Sequence, residues 1–202
     1  MIKPEAKIYD ATAGNRSIYE TKDHPFILYG DIEPDLFYKP DIMVDCTKTN
    51  FPDKSKNLII FDPPHECGRI KNEGIFSTPS LEVAKKKWPK YYRETPPRYY
   101  GGDKYKNKDE LRRFVYETQK EFYRILSDGG ALLMKWSENR IDLKEIIKLF
   151  RGWSVILKIR CFKQGNTATP TYWVMLMKAP MPSPQTELGE LAVEVGMPTE
   201  GI

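Results

Sequence analysis

The chain has 202 residues, 40% of them hydrophobic, and a formal net charge of +4. This length is typical of one globular domain with a substantial core, and no run of about eighteen apolar residues is present, which argues against a transmembrane helix. The first residues lack the apolar core of a signal peptide, and three unpatterned cysteines are typical of a reducing compartment, so we expect a cytoplasmic protein.

Four short apolar runs in the first third of the chain each end at an aspartate. Apolar runs of this length, bounded by turn residues, predict buried strands of a parallel sheet. The carboxyl ends of such strands share one edge, where open α/β sheets bind their ligands. We therefore expect a row of carboxylates at that edge, formed by Asp10, Asp31, Asp45 and Asp62.

The stretch DATAGNRS, residues 10–17, predicts a turn that leads into a short helix. Gly14 can turn tightly and let main-chain N–H groups approach a ligand, although a plain turn glycine has the same signature. Asp31 follows Asp10 by 21 positions, a spacing that suits an acid accepting hydrogen bonds from ribose hydroxyls. The alternative for Asp31 and Asp45 is that each simply caps the end of its strand.

Residues 66–108, here called the basic segment, are rich in positive charge and aromatic rings. They contain eleven Lys or Arg against five acids, interleaved with Trp and Tyr side chains. This composition suits contacts with phosphates and stacking on bases. It therefore predicts a nucleic-acid surface, and the alternative is a solvated lid whose aromatic side chains pack on the core.

The rest of the chain alternates between helical and strand-like patterns, which indicates an α/β fold. The final two strands lack an intervening helix, so they should pair as an antiparallel hairpin around a turn at residues 164–166. Residues 127–130, Ser-Asp-Gly-Gly, should stop the first helix, and the Pro-, Gly- and Glu-containing residues 179–202 predict a disordered tail. The predicted elements are helices Asp109–Leu126 and Ile141–Phe150, and strands Ala131–Met134, Trp153–Cys161 and Tyr172–Met177.

The block Asp62-Pro63-Pro64-His65 directly follows the fourth apolar run. Proline cannot donate to a strand ladder, so the strand must end there and leave Asp62 at its carboxyl end. Together with Asp-Ala-Thr-Ala-Gly, the two intervening acids, a Gly-Gly strand and the closing hairpin, this order resembles class I S-adenosylmethionine (SAM)-dependent methyltransferases. Within them it is similar to the amino-methylating branch that acts on nucleic-acid bases and carries (D/N/S)-P-P-(Y/F/W/H). The resemblance covers roughly residues 7–178.

The resemblance implies a Rossmann-like sheet within residues 1–178, mostly parallel with a C-terminal antiparallel hairpin, and with the basic segment inserted. It also implies SAM as the cofactor. Asp31 would hold the SAM ribose, and Asp45 with the neighbouring Cys46 would lie against the adenine. The methionine part would be lined by Asp10, Ala11 and Gly14.

Catalysis would fall to the Asp-Pro-Pro-His block. An exocyclic base amine is a poor nucleophile because its lone pair is delocalised into the ring. The Asp62 carboxylate and the Pro63 carbonyl would accept its N–H bonds and stabilise the charge that develops. Pro64 would stiffen the turn, and the resemblance implies that His65 stacks on a flipped base.

The expected function is therefore SAM-dependent methylation of an exocyclic amino group of a base in DNA or RNA. Adenine N6 is the first choice, with cytosine N4 and guanine N2 as further targets. The alternatives are methylation of a protein or small-molecule amine, and a methyltransferase-like nucleic-acid-binding subunit without activity. We expect contact with nucleic acid through the basic segment, no metal and no membrane, and a protein partner stays open.

The chain also departs from the branch. Arg16 stands where the family has its second turn glycine, and it either contacts the SAM carboxylate or hinders binding. Histidine at position 65 presents less surface for stacking than a larger aromatic ring. Only about six residues precede the first strand, so we expect the helix that usually helps to bind the methionine end of SAM to be missing or supplied elsewhere.

Overall fold

The computed structural model of the protein describes residues 5–34, 36–67, 104–161 and 169–179. Within these residues the chain forms seven strands and two helices. The strands are β1 (Ile8–Asp10), β2 (Ile27–Asp31), β3 (Ile42–Met43), β4 (Lys56–Phe61), β5 (Leu126–Ser137), β6 (Trp153–Cys161) and β7 (Thr171–Lys178). The helices are α1 (Lys108–Ile125) and α2 (Leu143–Ile147).

All seven strands belong to one sheet with the order β3-β2-β1-β4-β5-β7-β6. Strands β1 to β5 pair in parallel, whereas β7 pairs antiparallel with both β5 and β6. This confirms the predicted α/β sheet, mostly parallel with antiparallel C-terminal strands. The order reverses between β1 and β4, and such a switch point is where open α/β sheets form a crevice at the carboxyl ends of their strands.

Helix α1 covers one face of this sheet and forms the core with it. Asn107 begins the helix, because its side-chain oxygen accepts hydrogen bonds from the backbone N–H groups of Asp109 and Glu110. The Phe61 ring of β4 packs edge-on against Phe122 of α1, with 5.0 Å between the ring centroids. The side chains that this face buries completely include Leu111, Val115, Ile125, Leu132, Met134, Trp136 and Leu176.

The expected short helix after DATAG is wrong, because residues 11–26 form a series of turns. Gly14 and Arg16 both have positive φ angles, 50° and 54°, which a right-handed helix excludes. The buried Arg16 side chain stabilises this path by donating to the Lys22 carbonyl over 2.7 Å and to the Lys39 carbonyl over 2.8 Å. Long-range bonds therefore decide the conformation of this stretch.

The boundaries of two other elements also differ from the prediction. Strand β5 begins at Leu126, directly after α1, because Leu126 already pairs with Lys56 of β4. Gly129 has a φ angle of 75°, and a side chain at Gly130 would meet the Asn57 carbonyl at 2.9 Å. The two glycines thus let the chain stay in the sheet rather than leave it.

Helix α2 is shorter than the predicted Ile141–Phe150. Beyond Ile147 the backbone N–H groups of Leu149 and Phe150 bond three residues back, to the carbonyls of Ile146 and Ile147, so the helix tightens and ends. Gly152, with a φ angle of 77°, then turns the chain into β6. The Trp136 indole N–H donates to the Ile141 carbonyl over 2.9 Å, which holds the start of this segment against β5.

Several predicted features lie outside the described residues. These are residues 68–103 of the basic segment, the turn at 164–166 and residues 180–202 of the tail. In the part of the chain that is described, neither helix combines the length and the apolar character needed to cross a bilayer.

Candidate functional site

The DATAGNRS turn after β1 (residues 10–17) is here called the first turn. It is joined to the Asp-Pro-Pro turn after β4 at the switch point of the sheet. The Ala11 N–H donates to the Ile60 carbonyl over 2.9 Å, which continues the β1–β4 ladder by one residue. The Asp62 N–H then donates to the Thr12 hydroxyl oxygen over 2.8 Å. Thr12 was not among the predicted site residues, although its position beside Asp10, in the predicted ligand turn, was an available signal.

Asp10 is almost fully buried, with 1% of its surface exposed. Its Oδ2 accepts a hydrogen bond from the Tyr19 hydroxyl over 2.7 Å, and its Oδ1 accepts one from the Thr12 N–H over 3.1 Å. The pKa of Asp10 is raised to about 7, mainly by burial and also by the nearby Asp62 and Asp31 carboxylates, while the two hydrogen bonds oppose the shift. The Asp10 side chain therefore serves mainly to hold the first turn together.

Asp31 links the end of β2 to that same turn. Its Oδ2 accepts from the Gly14 N–H over 2.8 Å, and its Oδ1 accepts from the Glu33 N–H over 2.9 Å. A carboxylate has about four lone-pair sites, so each oxygen keeps capacity for a further donor. Asp31 is only partly buried and thus combines a fixed orientation with access for a ligand.

Gly14 is required for its backbone conformation rather than for space. Its φ angle is 50°, and a side chain there would find its nearest neighbour, the Thr12 carbonyl oxygen, 4.0 Å away. Left-handed backbone disfavours residues with a Cβ atom. The glycine therefore allows the turn that points the Gly14 N–H at Asp31.

Asp45 and Cys46 lie beyond the end of β3, but only one of them is exposed. The Asp45 Oδ1 accepts from both the N–H and the hydroxyl of Thr47, each over 2.8 Å. The Cys46 thiol is buried against α1, 3.8 Å from the Thr118 hydroxyl oxygen, and burial raises its pKa to about 12. The structure thus turns the Cys46 side chain into the core, where it packs against α1.

Asp62 stands directly after β4, with its side chain 8% exposed. Its Oδ2 accepts from the Lys135 ammonium group over 2.8 Å. Its Oδ1 is buried and has no hydrogen-bond partner among the described residues. Lys135 of β5 was missed from the sequence, where a basic residue at the end of the strand next to β4 was the available signal.

The residues after Asp62 are held by the loop that follows β5. Pro63 is buried and Pro64 is half-buried. The Glu66 carboxylate accepts from the Asn139 amide over 2.9 Å and from Arg140 Nε over 3.2 Å, so the Asp-Pro-Pro turn is tied to the loop after β5. Burial lowers the pKa of His65, and the nearby Asp62 and Glu66 carboxylates oppose this shift. At neutral pH His65 is therefore an uncharged, planar ring.

Arg16 has a role that neither sequence hypothesis named. Its guanidinium carbon lies 3.9 Å from the centroid of the Tyr29 ring. The Nη2 atom of this guanidinium group lies 3.7 Å from Asp41 Oδ1, and the Arg16 side chain is 5% exposed. Arg16 packs the first turn against the segment between β2 and β3 and is a structural residue in this arrangement.

The described ranges contain no candidate metal-binding site. They contain no group of three or more His, Cys, Asp and Glu side chains that could hold a metal ion. The site as described consists of the first turn, the end of β2 and the Asp-Pro-Pro turn, with Lys135 beside it.

Comparison with known proteins identifies the fold. No family model matches the sequence, and neither does any curated protein. Among solved structures, the PH0226 protein from Pyrococcus horikoshii OT3 is similar, with a TM-score of 0.51 and 13% identity over 85% of this chain and 81% of that one. The N-methyltransferase NodS from Bradyrhizobium japonicum WM9 has a TM-score of 0.50 and 9% identity over 86% of this chain and 85% of its own. The chain therefore has the Rossmann-like methyltransferase fold, a mostly parallel seven-stranded sheet with antiparallel C-terminal strands.

Proposed function

We propose that the protein is a SAM-dependent methyltransferase that modifies an exocyclic amino group of a nucleic-acid base, with adenine N6 as the first candidate. The observation that carries the proposal is the buried Oδ1 of Asp62, which has no hydrogen-bond partner within the described residues. Buried acceptors are nearly always paired in folded proteins, so an N–H donor from a substrate fits this oxygen. The fold shared with an N-methyltransferase adds support.

The ends of β1 and β2 fit SAM as the methyl donor. Asp31 has remaining acceptor capacity for ribose hydroxyls, and its orientation is fixed by the Gly14 and Glu33 N–H groups. Asp10, Ala11 and Gly14 would line the methionine end, and Asp45 with the Cys46 backbone would lie against the adenine. Bound SAM would supply an electrophilic methyl group, and the electron pair of the broken S–C bond would stay on its sulfur.

Asp62 and Pro63 would activate the target amine. The Asp62 Oδ1 and the Pro63 carbonyl would accept its two N–H bonds, which favours a pyramidal nitrogen with an available lone pair. As that lone pair forms the new N–C bond, positive charge develops on the nitrogen and the carboxylate stabilises it. One N–H proton then leaves the methylated nitrogen for water by way of Asp62.

Two features favour a nucleic-acid base over other amines. The basic segment combines an excess of positive charge with aromatic side chains, although residues 68–103 lie outside the described part of the chain. His65 directly follows the two prolines, and its lowered pKa keeps the ring uncharged, which suits stacking on a base. We propose that the basic segment contacts the phosphates while His65 stacks on the flipped base.

The test is methyl transfer from radiolabelled SAM to separate pools of DNA, RNA and protein, with wild type, Asp62→Ala and Asp62→Asn. We expect transfer to a nucleic-acid pool. Asp62→Ala should lower the single-turnover rate by about 10²–10³ because a group that stabilises the developing charge is removed. Asp62→Asn keeps a carbonyl acceptor and should retain more activity, while calorimetry should find SAM affinity nearly unchanged in both variants.

Other outcomes would identify the alternatives. Transfer only to the protein pool would indicate a protein methyltransferase. A folded wild type that binds SAM and nucleic acid but transfers no methyl group would be a binding subunit. If Asp62→Ala transfers methyl groups as fast as wild type, the Asp-Pro-Pro turn is structural and the proposed mechanism is wrong.

A further inference from the structure

Lys135 occupies an unusual position in the middle of the sheet. Its strand neighbours Met134 and Trp136 are fully buried on the face that α1 and α2 cover. Because successive side chains of a strand point to opposite faces, Lys135 projects from the other face. Met134 pairs with Phe61 of β4, so the next residue along each strand brings Lys135 beside Asp62.

The interaction between these two side chains is direct and largely shielded from water. The Lys135 ammonium nitrogen lies 2.8 Å from Asp62 Oδ2, a distance typical of a charge-assisted hydrogen bond. The two side chains are 23% and 8% exposed. Trp173, the partner of Lys135 on β7, borders the pair, with 6.0 Å between the ammonium nitrogen and the centroid of the indole ring.

This ion pair makes the two oxygens of Asp62 unequal. A carboxylate that accepts no fixed bond can rotate about its last torsion and exchange its oxygens. Here the ammonium group holds Oδ2, while the Asp62 N–H is held by the Thr12 hydroxyl. Oδ1 is left as the oxygen without a partner in the described ranges.

We infer that Lys135 is a positioning residue of the proposed methyl-transfer site: it holds Asp62 Oδ2 so that Oδ1 is presented to the amino group of the substrate. This inference rests on the proposed function. Lys135 acts through Asp62 and does not touch the reacting atoms in this assignment. Small misplacements of a reacting group have large effects on rate, so removing the ammonium group should slow the transfer.

The experiment compares Lys135→Met and Lys135→Arg with wild type in single-turnover methyl transfer to the best substrate pool. Lys135→Met keeps a side chain of similar length without the charge, and it should lower the rate about tenfold to a hundredfold. SAM affinity and nucleic-acid affinity should stay within about twofold, because in this assignment Lys135 acts through Asp62 on the transfer step. Lys135→Arg should retain more activity than Lys135→Met, since it still donates to Oδ2. Lys158→Met, on the exposed strand β6, is the matched control and should leave the rate unchanged.

A double-mutant cycle separates positioning from a merely structural role. In the Asp62→Ala background no side-chain oxygen is left for Lys135 to hold, so adding Lys135→Met should slow transfer by less than about threefold. Fully additive effects would overturn the inference, because they would mean that Lys135 acts without Asp62. Equal reductions in rate for Lys135→Arg and Lys135→Met with wild-type folding, judged by circular dichroism, would also overturn it.

Two remaining outcomes are also decisive. If Lys135→Met does not fold, Lys135→Gln takes its place, because its amide can donate to Oδ2 without a charge, and it should transfer methyl groups more slowly than Lys135→Arg. A wild type that transfers no methyl group to any pool overturns the proposed function and this inference together. An active wild type with additive effects overturns only the role of Lys135.

Discussion

Asp10 and Asp62 stand at the ends of adjacent strands, yet the structure uses their carboxylates differently. Both oxygens of Asp10 accept bonds from the protein itself, from Tyr19 and Thr12. Asp62 has one oxygen paired with Lys135, and its other oxygen has no partner among the described residues. Asp10 therefore supports the turn, whereas Asp62 has the chemistry to receive a donor.

The raised pKa of Asp10 leads to a prediction on stability. Its ordinary value is 3.8 and burial raises it to about 7 in the folded protein. The folded state thus holds this proton more tightly than the unfolded state, so the stabilisation is complete below about pH 4 and is lost as the pH rises through about 7. Asp10→Asn cannot ionise, so relative to wild type it should gain stability over that range, by at most about 1.4 kcal/mol per unit of pKa shift.

Urea unfolding at about pH 5 and about pH 8 measures this difference. Asp142→Asn is the control, because Asp142 is exposed at the start of α2 and its side chain makes no capping hydrogen bond. An Asp10→Asn variant whose stability relative to wild type is the same at both pH values would show that the buried Asp10 carboxyl does not titrate as described.

Asp31 gives a second prediction at the level of single residues. If it holds the SAM ribose, Asp31→Ala should weaken SAM binding at least about tenfold, since a hydrogen bond to a charged group is worth about 1.5–3 kcal/mol. Asp31→Asn keeps one carbonyl acceptor for the Gly14 or Glu33 N–H and should bind better than Asp31→Ala. Isothermal calorimetry with folded protein is the measurement, and unchanged affinity in both variants would assign Asp31 to the turn alone.

At the scale of elements, the turn after β1 and the basic segment depend on different physics. The turn takes its shape from Arg16, whose backbone is left-handed and whose side chain bonds to carbonyls of two later segments. A short stretch gains little from forming a helix by itself, so contacts with the rest of the fold can decide its conformation. Tertiary hydrogen bonds override the local preference, which is why the predicted helix is not formed.

The basic segment yields a prediction on nucleic-acid binding. Replacing Lys85, Lys86 and Lys87 with Ala should reduce the slope of log affinity against log salt by up to about 0.9 for each phosphate that the variant no longer neutralises. A triple variant of Lys120 on α1, Lys144 on α2 and Lys148 at the end of α2 removes the same charge from exposed positions elsewhere, and it should leave the slope nearly unchanged. Equal slopes for wild type and the Lys85–Lys87 variant would mean that the segment serves another purpose.

At the scale of the whole molecule, the order of the strands brings the parts of the candidate site together. The switch between β1 and β4 places the first turn, the end of β2 and the Asp-Pro-Pro turn at one edge. Helix α1 packs on one face through Phe122 and neighbouring residues, and this face is the best-buried part of the described structure. The antiparallel β7 then brings Trp173 beside Lys135, so the C-terminal strands also border the site.

The sequence alone determined the strand ends and the order of the site residues. Apolar runs that stop at Asp10, Asp31 and Asp62 encode strands through burial and local backbone restriction, and these effects act between near neighbours in the chain. The same local signals predicted the C-terminal hairpin of β6 and β7. They predicted that these carboxylates stand at the strand ends, without indicating which oxygens already accept a bond from the protein.

Only the tertiary structure decided which of these groups can receive a ligand and which is used internally. The Asp62 N–H bonds to Thr12, which is 50 positions away in the chain, and the Asp62 carboxylate bonds to Lys135, 73 positions away. Burial of the Cys46 thiol against Thr118, 72 positions away, is equally a product of packing. Hydrogen bonds between distant segments depend on the distances and directions that the folded sheet imposes, and local sequence patterns carry no record of them.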